Sequence, residues 1–134
     1  ADQILSVEAD VLAPCALGAI FDEASINAVR AKVVCGAANN QLATPADGAR
    51  FAERGILYAP DYVVNAGGII NVAGEYFGWT SKETQRRVYE TGHRLARVLD
   101  HASATGIAPN LAADELARAT IASGRSRLPA EKAS

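Results

Sequence analysis

Short apolar runs along the chain alternate with segments whose apolar residues recur at helical spacing. Residues 9–13 form a mostly apolar run ended by Pro14, 31–35 a second stopped by Gly36, and 56–59 a third closed by Pro60. Each reads as a short buried strand. Residues 62–64 read as a fourth extended piece leading into Asn65. Between them, 22–30 is polar and compatible with helix, and 44–54 reads as a helix with Thr44 at the N-cap and Pro45 at the first position. Gly55 is its expected left-handed stop. A helix is expected over 66–77 despite Gly67, Gly68 and Gly74, since each glycine costs only up to ~1 kcal/mol relative to alanine.

Thr80 and Glu83 have the spacing of a capping box. The helix they open carries Val88, Gly92, Leu95, Leu99 and Ala102 on one stripe, with Arg87, Glu90, Arg94 and Arg97 away from it. It should end near Thr105–Gly106. A last helix is expected over 110–124, and 125–134 reads as a loose polar tail. Strand–helix–strand–helix–strand followed by helices is the order of an α/β parallel sheet. Uniformly apolar strands suit a sheet covered on both faces. Three or four strands make about half of a doubly wound sheet.

Composition narrows the function. The chain has 134 residues, 49% of them hydrophobic and only 6% aromatic, with a formal charge of −2 and no block of like charges. Arg86, Arg87, Arg94 and Arg97 on one helix are explained by a solvated face, so no nucleic-acid partner is expected. No run of about 18 apolar residues suggests a membrane span, and the first residues lack the form of a signal peptide. Cys15 and Cys35, with only His93 and His101 beside them, imply neither a zinc site nor a disulfide framework. Free thiols in a reducing cytoplasm are the simplest assignment.

Parallel strands end on one edge, and ligands of α/β sheets sit there. Three groups fall on that edge: 13–18 (Ala-Pro-Cys-Ala-Leu-Gly), 36–41 (Gly-Ala-Ala-Asn-Asn-Gln) and 65–68 (Asn-Ala-Gly-Gly). They offer small residues for close backbone approach and carboxamides that both donate and accept. They contain no His, Asp, Glu or Lys, so a site built from them binds and orients without an acid or base of its own. Plain structural roles stand beside this one. Pro14 can simply end a strand, Cys15 can be a buried hydrophobe, and Asn39–Asn40 can be turn residues. Asn65 can cap a helix, with the two glycines allowing tight packing. Convergence of the three groups on one edge favours a ligand site.

These motifs, with 55–71 (Gly-Ile-Leu-Tyr-Ala-Pro-Asp-Tyr-Val-Val-Asn-Ala-Gly-Gly-Ile-Ile-Asn), resemble the nucleotide-binding domain of the glutamate/leucine/phenylalanine/valine dehydrogenases from about Ala9 to about His101. The Pro-Cys-Ala-Leu-Gly form is closest to the leucine, valine and phenylalanine branch. The resemblance implies the second half of a Rossmann-type sheet and NAD-dependent oxidative deamination of an L-amino acid to its 2-oxo acid and ammonia. It implies that Ala13, Pro14 and Cys15 line the cofactor and that Asn39 contacts the nicotinamide ribose. Asn65 would orient the substrate amino group and the nicotinamide, with Ala66, Gly67 and Gly68 as the floor beside it. Gly92 and Leu95 would approach the substrate side chain, with core packing as their alternative.

Residues 1–106 are then a partial dinucleotide-binding domain whose long helix spans about 81–104, followed by a carboxy-terminal helix over 107–124. The family's Gly-x-Gly-x-x-Gly fingerprint, its ribose-binding acid and its substrate-domain lysines have no counterpart here; Lys32, Lys82 and Lys132 stand in no such motif. The chain is therefore expected to be inactive alone. It would act as part of a dehydrogenase that assembles as a homo-oligomer, or as a split half-domain paired with a complementary chain.

Overall fold

The computed structural model describes residues 3–125. The expected tail therefore lies, apart from Arg125, outside the described residues, as does Lys132. After a turn of 3₁₀ helix at Ile4–Ser6, the elements are β1 (Val11–Leu12), α1 (Glu23–Ala28), β2 (Val33–Val34), α2 (Asp47–Glu53) and β3 (Leu57–Tyr58), then α3 (Asp61–Val64), α4 (Gly67–Phe77), α5 (Ser81–Thr105) and α6 (Pro109–Arg125). The three strands form one parallel sheet in the order β1-β2-β3, with Val11 beside Val33 and Val33 beside Leu57. This is the expected α/β arrangement of a small parallel sheet followed by carboxy-terminal helices.

Two apolar clusters hold these elements. Phe21, Ile26, Val29, Val34, Phe51, Ile56 and Tyr58 pack around the sheet. In that cluster the Phe51 ring stacks on Tyr58 at 5.4 Å and meets Phe21 edge-on at 5.0 Å. Burying a large apolar side chain contributes roughly 1.5–3 kcal/mol, so three enclosed rings anchor this half. The second cluster joins Val98 and Ala102 of α5 to Ala112 and Ala113 of α6, with Val63 of α3 against it. Small side chains there let the helices approach closely.

Several elements differ from the sequence reading. Residues 62–64 are helical, because Pro60 serves as the N-cap of α3 and its carbonyl accepts from the amides of Val63 and Val64. A run of three apolar residues is too short for its period to separate strand from helix. At α2, Thr44 is not the cap. Its amide and hydroxyl both donate to the Asp47 carboxylate at 2.8 Å, reversing the expected direction, and the N-cap is Ala46. Thr80 does cap α5, accepting from the Glu83 amide at 3.2 Å. The Glu83 carboxylate does not return the bond; Arg86 and Arg87 take it instead. On the α5 stripe only Ala102 is buried, along with Val98, while Val88 and Gly92 are exposed and Leu95 and Leu99 half-buried. Gly55 is left-handed as expected, with φ +68°.

Candidate functional site

The carboxyl ends of β1, β2 and β3 lead into three loops that touch one another. After β1, Pro14 is buried and its carbonyl accepts from the Ala38 amide at 2.9 Å. A methyl at Gly36 would lie 2.2 Å from that same carbonyl oxygen, so only glycine lets the first and second loops close this far. A few residues on, the Ala19 amide donates to the Asn40 carbonyl at 2.6 Å. A methyl at Gly18 would meet the Asn39 carbonyl oxygen at 2.6 Å.

The second loop is braced from beneath by Gln41. Its side chain is wholly buried, and Nε2 donates to the carbonyls of Gly36 at 2.8 Å and Ala38 at 2.9 Å. This brace leaves Asn39 exposed at the tip, with Asn40 in the left-handed region at φ +52°. Asparagine tolerates that conformation better than most residues with a side chain.

The third loop begins at Pro60. Asp61, only 7% exposed, accepts from the Tyr58 hydroxyl at 2.9 Å and from the Asn40 amide at 2.8 Å. Burial, and after it the Asp61 carboxylate, holds the Tyr58 phenol well above its ordinary range, so it remains a donor. One turn of α3 later, the Asn65 amide donates to the Asp61 carbonyl at 2.8 Å. The Asn65 side chain crosses to the second loop, where Nδ2 donates to Asn39 Oδ1 at 2.6 Å. That bond uses one donor of Asn65 and one lone pair of Asn39, leaving further donors and acceptors on both carboxamides.

The plain alternatives for this turn do not describe it. Asn65 ends α3 and does not cap α4, whose N-cap is Ala66 with no side-chain bond to its first amides. Gly67 and Gly68 are not there for close packing. A methyl on Gly67 would come no nearer than 3.9 Å to Val88, and one on Gly68 would meet nothing within 4 Å. The chain's own packing gives no reason for glycine at either position, and both have open space above them.

The structure thus brings Pro14, Asn39 and Asn65 onto one rim, with Ala13 and Cys15 exposed on the first loop and Gly67 and Gly68 opening α4. Gly92 and Leu95 stand apart on α5, and the hydrogen bonds that tie the rim together involve neither. Gly92 is exposed with no atom near its Cβ direction, and Leu95 is half-buried. Asp61 and Gln41 lie within the motifs read from the sequence, but neither was expected to carry a role of its own. Their one signal was position: Asp61 is an acid set directly behind a buried strand, and Gln41 closes the Asn-Asn-Gln turn.

The rim thus offers two carboxamides with hydrogen-bonding capacity to spare, beside two glycines with open space above them. Among the described residues, no helix is long and apolar enough to cross a membrane, and no group of three or more His, Cys, Asp or Glu is placed to hold a metal.

A leucine dehydrogenase of Bacillus cereus is 46% identical over 122 residues, covering 91% of this chain and 33% of the relative. A valine dehydrogenase of Streptomyces albus is 45% identical over 130 residues, covering 94% of this chain and 35% of the relative. The crystal structure of L-tryptophan dehydrogenase from Nostoc punctiforme superposes with a TM-score of 0.86 at 38% identity, over 90% of this chain and 37% of that one. The chain spans about a third of the length of the curated relatives it matches. The family model for glutamate/leucine/phenylalanine/valine dehydrogenases matches residues 1–125. By its strand-end loops and by this match along nearly its whole length, the chain belongs to that dehydrogenase family, on its leucine and valine branch.

Proposed function

We propose that this segment supplies the nicotinamide side of the cofactor site in an NAD-dependent L-amino acid dehydrogenase acting on a hydrophobic amino acid. The observation that carries the reading is the 2.6 Å bond between the Asn39 and Asn65 carboxamides on the strands' carboxyl edge, beside two glycines with empty space above them. Leucine, valine and tryptophan dehydrogenases among the relatives support a hydrophobic substrate.

Bound NAD would supply the hydride acceptor for oxidation at the substrate α-carbon. The residues of this chain bind and orient. Pro14 and Cys15 border the ring, Asn39 offers its carboxamide to the ribose, and Asn65 offers its remaining donor and acceptor to the substrate amino group and the nicotinamide. Gly67 and Gly68 leave room for the ring to lie close to the backbone. Gly92 and Leu95 are assigned to the substrate side chain on the family resemblance alone.

No rim residue is placed to take a proton. Asp61 is buried and committed to two donors, so general-base catalysis, typically ~10²–10⁴-fold, is assigned to groups outside the rim. The amino-terminal two-thirds of the family polypeptide and further copies of the subunit are the expected partners. Prepared alone with NAD and leucine, the chain should form no NADH. Co-expressed with the amino-terminal part of a leucine dehydrogenase, it should restore NAD-dependent deamination, and Asn65→Ala should abolish the restored activity. Turnover by the pure chain, or full activity with Asn65→Ala, would contradict the assignment.

A further inference from the structure

We infer that Asp61 is a positioning residue that sets the Asn39–Asn65 pair, acting on both partners at once. This rests on the cofactor-site reading above and names a residue outside the contacting groups. The side chain of Asp61 holds the residue next to Asn39, through the Asn40 amide at 2.8 Å. Its backbone carbonyl holds Asn65 itself, through the Asn65 amide at 2.8 Å. The two carboxamides that meet at 2.6 Å are therefore registered against one residue.

The grip has a specific task. Asn40 is in the left-handed region at φ +52°, which asparagine tolerates but which remains an uncommon conformation for a residue with a side chain. The carboxylate supplies a charge-assisted bond to that residue's amide, and such bonds are stronger than neutral ones. The Ala19 amide holds the Asn40 carbonyl from the other side at 2.6 Å. With the Asp61 bond gone, one of these two clamps is lost and the Asn39 tip is free to turn away from Asn65. The second donor, the Tyr58 hydroxyl at 2.9 Å, comes from β3 and orients the carboxylate without touching the turn. The two donors therefore have separable consequences.

Three variants of the 134-residue chain, labelled with ¹⁵N, test this. Asp61→Ala should move the Asn65 side-chain amide resonance to the position of a free asparagine and speed its exchange. Tyr58→Phe should leave that resonance in place while lowering thermal stability. Asp61→Asn should largely restore it, since its oxygen can accept from Asn40 while its amino group donates to the Tyr58 oxygen. If Asp61→Ala does not fold, Asp61→Glu replaces it, keeping the charge but moving the oxygens by one methylene, with the same displaced resonance expected. In the co-expressed enzyme, kcat per folded site should fall about 10²-fold for the displaced variant, the order of loss for a misplacement near 1 Å. The fall should be within a few-fold for Asp61→Asn and Tyr58→Phe. An Asn65 resonance unmoved by Asp61→Ala or Asp61→Glu, or moved equally by Tyr58→Phe, overturns the inference. If the wild-type assembly itself fails to deaminate, the cofactor-site reading falls, and the spectra alone still decide the role of Asp61.

Discussion

Around β2 the rings of Phe21, Phe51 and Tyr58 are enclosed almost completely. On α4 and α5, by contrast, Ile69, Val72, Tyr76, Phe77 and Tyr89 are each more than half exposed. In the sheet half one face is tightly packed, while Val11 and Leu57 on the strands stand exposed, so the sheet is not covered on both faces as its apolar strands suggested. Gly36 makes room for Pro14, Gln41 braces the loop above it, and the rings fill the space between sheet and helices. In the helical half the buried cluster is mostly alanine, and Gly67 and Gly68 have no packing reason to be glycine. The rim lies where the two halves meet. Residues that local packing does not explain are expected at functional sites, and here they lie beside the carboxamide pair.

This contrast can be broken by substitution. The largest effect is expected at Phe51, where Phe51→Ala should destabilise the chain by about 3–5 kcal/mol. Val98→Ala, the counterpart in the helical cluster, removes two methyl groups and should cost roughly 1–2 kcal/mol. Urea unfolding of both variants measures the difference, and equal losses would mean that the two clusters are not distinct in strength.

Glycines sharpen the contrast, because the same added methyl should act with opposite sign. Gly36→Ala pushes a carbon into the Pro14 backbone and should cost about 1–3 kcal/mol or more. Gly68→Ala meets open space in a helix and should stabilise by about 0.5–1 kcal/mol. In the co-expressed enzyme Gly68→Ala should nonetheless weaken cofactor binding, since the methyl occupies the space left above the rim. A stabilised variant with unchanged affinity would remove the glycines from the site.

The smallest effect concerns the start of α5. The Arg86 guanidinium, followed by that of Arg87, lowers the Glu83 carboxyl from an ordinary 4.5 to about 2. A lowered folded-state value stabilises above the unfolded value and is lost as pH falls through the folded one. Helical circular dichroism should therefore weaken between pH 4.5 and about 2, and Glu83→Gln should flatten that part of the titration. These groups face solvent, so the change should be slight.

Much of this architecture was legible in the sequence because its signals are local. Pro14, Gly36 and Pro60 mark strand ends, Thr80 opens the long helix, and Gly55 and Gly106 close helices in the left-handed conformation. Where competing local interactions decide, the sequence misleads. Pro60 followed by Asp61 turned an apolar triplet into α3, and two arginines drew Glu83 away from its cap. The rim was legible as three loops on one edge, but not the bonds within it. Asp61 and Gln41 act on backbone groups across 21 residues and within a buried turn, and no periodicity records such contacts.

The account turns on whether the three loops form one surface for the nicotinamide end of the cofactor. The direct measurement is a ¹⁵N titration of the chain with reduced nicotinamide mononucleotide. The amides of Cys15, Asn39, Gly67 and Gly68 and the side-chain amides of Asn39 and Asn65 should shift together along one binding curve. Asp10, Lys32 and Ile56, at the opposite ends of the strands, should stay still. A rim that does not move, or shifts gathered at those opposite ends, would contradict it.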